Sequence, residues 1–239
     1  MNISFSGDTR DLFKFDLVRH IMKSFPGLNS FTFVPMLTDR EEQTKQKKRN
    51  TDLKKAITAG KAGSQNRELM EHLGKLQEIE DDMAYFSGIR SYFKGENILA
   101  DILNRDRFSH EHRVNYFKPI FDKFPERSLI FLDPDTGLEV KNPTHRHLLF
   151  DELKKIADTM DTRSILMIYQ HFPRETHEGY VRHRCSQIAE VTGIKPVSIT
   201  DNEIVFFLLA KNPKLRQMLE DNVATYADTY PALRSCGCD

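Results

Sequence analysis

The sequence has few cysteines, no net charge and no long apolar run, and each absence excludes a class of protein. Its 3 cysteines are Cys185, Cys236 and Cys238, an odd number without a metal-type CxxC pair, so we expect no disulfide framework and a reducing compartment. The 35 basic residues equal the 35 acidic ones, so no global field draws the protein onto nucleic acid. A membrane span requires about 18 apolar residues, and neither such a run nor a signal peptide is present. We expect a cytoplasmic protein without membrane association.

The length and composition suit one domain that carries an insertion. At 239 residues the chain can bury a substantial core, yet 39% of its residues are hydrophobic and 29% are charged. A solvated helical segment added to a domain with an ordinary core would give these fractions of hydrophobic and charged residues. Residues 39–127 fit that description, because a basic run and a flexible break at 61–64 stand among helix-prone sequence. We predict a single α/β domain over 1–239 with a helical insertion or subdomain over 39–127.

The rest of the chain alternates between helical and strand patterns. Helices are predicted over residues 11–25, 178–191 and from Asn212-Pro213 onward, and one more contains Leu148, Leu149, Leu153 and Ile156. Strands are predicted over residues 31–37, 129–132 and 164–169, and a hairpin joins 196–200 to 203–209. This alternation indicates a mostly parallel sheet with helices on both faces, and the late hairpin supplies one antiparallel strand.

Acidic residues follow the most apolar predicted strand. Asp133, Asp135 and Glu139 come after residues 129–132, at the end where ligands bind in open α/β sheets. Pro134 and Gly137 also make the segment a competent turn, and a turn alone remains an alternative. His171 follows the neighbouring predicted strand, so the sheet places it at the same edge. We take Asp133, Asp135, Glu139 and His171 as the candidate catalytic residues.

Four segments together resemble one enzyme family. They are the Gly-Asp-Thr-Arg-Asp-Leu-Phe-Lys sequence at 7–14, the strand with its Asp-Pro at 129–134, the Ile-Tyr-Gln-His-Phe-Pro sequence at 168–173, and residues 203–219, where a closing strand runs through Asn-Pro into a helix. In this order they are similar to the ribosomal RNA adenine-N6 methyltransferases that carry an Asp-Pro-Pro-Tyr motif. The resemblance implies a Rossmann-like methyltransferase-type fold. It also implies that S-adenosylmethionine binds near Gly7, Asp8, Asp11, Lys14 and Asp133.

Two departures from the family pattern keep other functions open. The residues after the first predicted strand, 36–42, contain no glycine, although close passage of a cofactor favours a glycine-rich loop there. Asp135 and Thr136 stand where the family has its second proline and its aromatic residue. One alternative is a nuclease or phosphoesterase in which Asp133, Asp135 and Glu139 bind Mg²⁺. The other is a non-catalytic interaction protein on the same fold.

A basic run is the one local feature that suits nucleic acid. Lys45, Lys47, Lys48 and Arg49 fall within a few residues and are expected either to contact phosphates or to form a solvated helix face. The sequence leaves the oligomeric state open.

Overall fold

The computed structural model describes residues 7–38, 52–103, 108–109, 111–122, 125–172 and 177–237, which fold into helices packed on a mixed sheet. The helices are α1 (Thr9–Ser24), α2 (Lys54–Thr58), α3 (Arg67–Leu76), α4 (Asp82–Gly95), α5 (Arg113–Asp122), α6 (Phe150–Thr159), α7 (His177–Thr192) and α8 (Pro213–Asp228). The strands are β1 (Ser30–Val34), β2 (Ala100–Ile102), β3 (Ser128–Leu132), β4 (Gly137–Leu138), β5 (His147–Leu148), β6 (Ile165–His171), β7 (Val197–Thr200), β8 (Ile204–Leu209) and β9 (Arg234–Gly237). The predicted α/β class is confirmed.

Seven of these strands form one sheet in the order β2-β1-β3-β6-β8-β7-β9. The first four are parallel to one another, whereas β8 pairs antiparallel with both β6 and β7, and β9 pairs antiparallel with β7. The two short strands β4 and β5 pair with each other in a separate parallel ladder. The prediction of a mostly parallel core with a late antiparallel hairpin is therefore confirmed.

The central strands are apolar because both of their faces are covered. Every residue of β3 is buried, and alternate side chains enter different core layers, as the strand period of two requires. Leu129 and Phe131 contact the first layer, which α1, α3, α4 and α8 cover, whereas Ile130 and Leu132 contact the second, which α5, α6 and α7 cover. β1 ends immediately before Pro35, which has no N–H to continue a ladder.

The carboxyl-terminal elements agree closely with their sequence signals. Asn202 adopts a left-handed φ of 68° in the turn between β7 and β8, as expected for a turn-competent asparagine. The side chain of Asn212 accepts the N–H groups of Lys214 and Leu215, so α8 begins where the Asn-Pro pair predicted. Gly193 follows α7 with a φ of 70°, the common conformation after a helix.

Three expectations are wrong. Leu148 belongs to β5 rather than to the following helix, since α6 begins only at Phe150. A frayed tail is the ordinary expectation for residues near the end of a chain, but Arg234–Gly237 form β9, because the free edge of β7 offers them a backbone partner. Cys185 is disulfide-bonded, and linear spacing alone could not reveal which cysteines meet in space. Cysteine usage therefore no longer argues for a reducing compartment.

The segment 39–127 contains helices and one sheet strand. Within its described part, α2, α3, α4 and α5 supply the expected helical character. In addition β2 pairs in parallel with β1 and forms the outer strand of the sheet. The spacing of seven between Tyr85 and Tyr92 and between Phe86 and Phe93 predicts a helix core stripe, and in the structure these four residues of α4 are buried in the first core layer. Among the residues that the structure describes, no helix has both the length and the apolar character of a membrane span.

Candidate functional site

Asp133 lies directly beyond the carboxyl end of β3, at the edge where the sequence placed a site. It is 1% exposed, and its backbone N–H donates to the carbonyl of Val34, which holds it beside β1. Lys14 donates from Nζ to Asp133 Oδ2 at 2.9 Å, and the lysine itself is buried. This ion pair joins the first helix of the chain to a strand that begins more than 100 residues later.

The beginning of α1 holds two further acids beside Lys14. Asp8 caps the helix by accepting the N–H groups of Arg10 and Asp11 at 2.8 and 3.1 Å. Asp11 lies 3.2 Å from Lys14 Nζ, and its other oxygen accepts the hydroxyl of Tyr85 at 2.8 Å and the N–H of Gly7 at 2.7 Å. We call Asp8, Asp11, Lys14 and Asp133 the acid-rich cluster.

Glycine is favoured at position 7 because the side chain of a larger residue would clash with the residues packed against it. Its φ is +77°, and a Cβ atom would lie 2.7 Å from the carbonyl oxygen of Leu73 and from Cγ of Gln77. Gln77 in turn donates to the carbonyl of Gly7 at 2.7 Å. The segment that precedes α1 is therefore held against α3, and Asp11 is fixed from both sides.

Burial and mutual repulsion set the protonation of the cluster. Burial together with the neighbouring Asp11 raises the pKa of Asp8 to about 6. Burial raises the pKa of Asp133 as well, and the ammonium of Lys14 opposes this increase. Burial disfavours the ammonium, but Asp133 and Asp11 outweigh that cost and raise the pKa of Lys14 above its usual value. Lys14 thus stays charged at neutral pH among more carboxylates than it can neutralise.

Two predicted site residues, Asp135 and Glu139, have partners outside this cluster. Asp135 forms an ion pair with Arg146, with 3.2 Å between Oδ2 and Nε, and accepts a hydrogen bond from the hydroxyl of Thr38 at 3.4 Å. Glu139 accepts the N–H of Phe150 at 2.7 Å and so caps the amino terminus of α6. The structure therefore brings together Gly7, Asp8, Asp11, Lys14 and Asp133, but it directs Asp135 and Glu139 elsewhere.

His171 lies at the end of β6, half-buried and on the same edge of the sheet. Its Nδ1 is 3.5 Å from the hydroxyl of Tyr169, whose ring lies 4.6 Å from Lys14 Nζ. Burial and the nearby Arg10 lower the pKa of His171, so the imidazole is neutral at pH 7 and can accept a proton. Tyr169 thus links His171 to the acid-rich cluster.

The turn between β3 and β4 depends on Gly137. Its φ is +123°, and a Cβ atom would lie 2.4 Å from the amide group of Gln170. Gln170 accepts the N–H of Leu138 at 2.8 Å and donates to the carbonyl of Thr136 at 3.2 Å. The expected turn is present, and the Gln170 side chain holds it to β6.

The described residues contain no group of three or more His, Cys, Asp or Glu side chains that could hold a metal ion. Asp133, Asp135 and Glu139 are engaged with Lys14, Arg146 and the start of α6, so they do not form the shared oxygen cage that Mg²⁺ requires. The basic run Lys45, Lys47, Lys48 and Arg49 lies outside the described residues.

Sequence reasoning missed two tyrosines that contact the cluster. Tyr85 was assigned only to the core, yet its hydroxyl binds Asp11, and burial with that neighbour raises its pKa well above the usual value. Tyr169 was noted only as part of a strand. Because a buried tyrosine hydroxyl needs a partner, each of these residues in an apolar stripe was a signal of nearby polar groups.

No protein-family model matches this sequence, and no curated protein matches it significantly.

Proposed function

We propose that the protein is an S-adenosylmethionine-dependent methyltransferase with its cofactor pocket at the carboxyl edge of β1 and β3. The observation that carries this proposal is the contact between Lys14 and Asp133 at 2.9 Å. The family resemblance assigns both residues to one pocket from two separate segments, and folding places those segments in hydrogen-bonding contact.

The charge of the acid-rich cluster suits this cofactor. Asp11 and Asp133 pair with Lys14, and Asp8 interacts with it electrostatically, so three carboxylates lie around this lysine. S-adenosylmethionine carries a sulfonium cation and ribose hydroxyls, and carboxylates attract the first and accept hydrogen bonds from the second. The bound cofactor would supply the methyl group.

The order of strands gives independent support. Rossmann-like methyltransferases end in a hairpin, and here the second hairpin strand, β8, lies between β6 and β7 in an antiparallel direction. The four parallel strands put the ends of β1, β3 and β6 at one edge. That edge is where open α/β sheets bind their ligands.

The loop after β1 makes a glycine-like turn without a glycine. Met36 adopts a φ of +40°, its side chain is fully buried, and its N–H donates to the hydroxyl of Tyr116 at 2.7 Å. A left-handed conformation in a non-glycine residue costs on the order of 1–3 kcal/mol and is found where function demands a specific backbone path. We infer that this strained turn takes the place of the family's glycine-rich loop.

Asp133 is the residue that would orient the acceptor. A carboxylate can accept hydrogen bonds from an amino group and so direct its lone pair toward a methyl donor. Thr136 stands where the family has its aromatic residue, and its hydroxyl donates to the carbonyl of Arg146 at 3.1 Å rather than offering a stacking face. The acceptor is accordingly an amine of a nucleic acid or of a small molecule that binds without that stacking ring.

Calorimetric titration with S-adenosylmethionine and its demethylated product tests the proposal. We expect both to bind the wild-type protein, and Asp8→Asn to weaken S-adenosylmethionine several-fold, because the variant removes one carboxylate and keeps the helix cap. Asp81→Asn is the matched control, since Asp81 caps α4 through the N–H of Ala84 at 2.7 Å and is exposed. If neither compound binds at millimolar concentration, the proposal fails.

A further inference from the structure

A second concave region lies beside the turn that follows β3. It is a cavity of about 600 Å³, within the range of small-molecule sites, and it extends along α7. Its walls include Arg184, Lys141, His147, His183, Phe172 and Tyr180. We call it the arginine cavity; none of its lining residues belongs to the acid-rich cluster.

Arg184 is a buried cation whose described partners are all neutral. It is 5% exposed and donates to the carbonyl of Glu139 at 2.7 Å, to the side-chain oxygen of Gln187 at 2.9 Å and to the hydroxyl of Tyr180 at 3.1 Å. Among the residues that the structure describes, no carboxylate lies within ion-pair distance of it, and its Nη2 makes no hydrogen bond. Buried arginines are normally paired with a carboxylate, because an uncompensated buried charge is costly.

The cavity lining around Arg184 adds one further cation, Lys141, and one carboxylate, Glu139. Lys141 and His183 are exposed at the mouth of the cavity. The carboxylate of Glu139 is directed to the N–H of Phe150, where the positive end of α6 neutralises it. Burial and the neighbouring Arg184 lower the pKa of His147, as expected for a group in a positive potential.

Part of the cavity wall is aromatic and adjoins Arg184, whose guanidinium carbon lies 5.3 Å from the centre of the Tyr180 ring. Phe172 and Tyr180 are both nearly buried, and their ring centroids are 5.6 Å apart. Such a wall favours a planar, apolar ligand body, because ring faces pack well against one another.

We propose that the arginine cavity binds a small molecule in which a phosphate group is attached to a planar ring system. Nη2 of Arg184 contacts the phosphate, Lys141 and His183 contact it from the cavity mouth, and Phe172 and Tyr180 contact the ring. Arg184, Lys141 and His183 together offer several donors, which suits the three oxygens of a phosphate dianion better than the two of a carboxylate. The inference is independent of methyl transfer.

Calorimetric titration of the full chain with adenosine 5′-monophosphate, adenosine and inorganic phosphate tests this proposal. We expect the monophosphate to bind at least 10-fold more tightly than adenosine, and its affinity to fall as salt is raised. Equal affinity for adenosine and its monophosphate would overturn the role of the anion. The absence of binding by all three probes at millimolar concentration would overturn the site.

Variants locate the binding. Lys141→Gln and His183→Gln change exposed residues, so they keep the fold, and each should weaken the monophosphate several-fold. Arg184→Lys keeps the charge but not the guanidinium donors and should weaken it more than 10-fold, with unchanged circular dichroism. Arg182→Gln is the control, because it removes a charge from the same helix at an exposed site paired with Glu178.

Two results would place the ligand elsewhere. If Lys141→Gln, His183→Gln and Arg184→Lys all bind as the wild type does, the cavity is not the site. If Asp8→Asn abolishes binding of the monophosphate, the ligand occupies the pocket of the acid-rich cluster instead. Adenosine 5′-carboxylate that binds as tightly as the monophosphate would overturn the assignment to phosphate.

Discussion

The acid-rich cluster and the arginine cavity lie near the same edge of the sheet but contact different core layers and carry opposite charges. In the cluster, the carboxylates of Asp11 and Asp133 pair with the ammonium of Lys14, beside Tyr169 of the first layer. In the cavity, the guanidinium of Arg184 has neutral partners, beside Tyr180 of the second layer. The chain as a whole carries a formal charge of zero. Net charge therefore says nothing about two local fields that favour ligands of opposite sign.

The largest difference between the two regions should be seen when each loses its cation. We expect Lys14→Met to lower the free energy of unfolding by about 3–5 kcal/mol, because it leaves Asp11 and Asp133 buried without their shared cation. Urea denaturation at pH 7 measures this, with Lys154→Met as the control, since that lysine is exposed and pairs only with Asp158. The control should cost less than about 1 kcal/mol. Equal costs for the two variants would contradict a buried, ionised cluster.

The second-largest change in the free energy of unfolding is expected for Gly137, in the turn that follows β3. Gly137→Ala should cost about 2–4 kcal/mol, because the new methyl group meets Gln170 and a φ of +123° disfavours any side chain. Gly74→Ala, within α3 and with no atom within 4 Å of its added carbon, should instead stabilise the protein by about 0.5–1 kcal/mol. Thermal unfolding of both variants compares them directly. A tolerated Gly137→Ala would mean that the turn can move away from Gln170.

Arg184→Met should be less costly than Lys14→Met. It leaves the acceptors on Glu139, Gln187 and Tyr180 without their donor, for about 1–3 kcal/mol, but it also removes a buried charge that has no described counter-ion. Urea denaturation in phosphate-free buffer gives the cost without ligand stabilisation. A cost above that of Lys14→Met would indicate that Arg184 is a structural cation like Lys14.

The smallest expected effect concerns Asp8 and pH. Its folded pKa is raised to about 6 from an ordinary 3.8, so the folded chain keeps a proton that the unfolded chain releases between these values. Wild-type stability should therefore fall as pH rises from about 4 to about 6, whereas Asp8→Asn should lack this component. At pH 7 the variant should be more stable by on the order of 1–2 kcal/mol. Identical pH profiles for the two proteins would show that Asp8 titrates normally.

The strands that were predicted correctly are those buried on both faces, because such burial requires a continuous run of apolar residues. β3, β6 and β8 contain runs of apolar residues that predicted their ends to within two residues, although β6 continues through the polar Gln170 and His171. β2 and β9 were not foreseen because they are short, carry polar residues and lie at the outer positions of the sheet. Their positions in the sheet depend on backbone hydrogen bonds to β1 and β7, and no local sequence pattern predicts this pairing.

The candidate site divides in the same way. Asp133 could be predicted from the sequence because ligands bind where the strands of an open sheet end, and Asp11 and Lys14 could be predicted from the family resemblance. The separation of Glu139 from them could not, since it depends on where the turn at Gly137 leads the chain. Arg184 was missed because a charged residue in a polar helix looks solvated. Its spacing of four residues from Tyr180 places it on the buried side, which was the available signal.

The strand β1, second from the edge of the sheet, has no near neighbour along the chain. Ser30 pairs with Ser128, a separation of 98 residues, and Phe31 pairs with Ala100 on the other side. Closing such loops costs entropy before any contact forms, whereas the β7–β8 hairpin closes locally. We therefore expect the last strands to form before the first strand. During synthesis, α1 and β1 lack their contacts with β3 until that strand has been made. Pulse-labelled hydrogen exchange during refolding should show the amides of β8 protected before those of β1, and the reverse order would refute this.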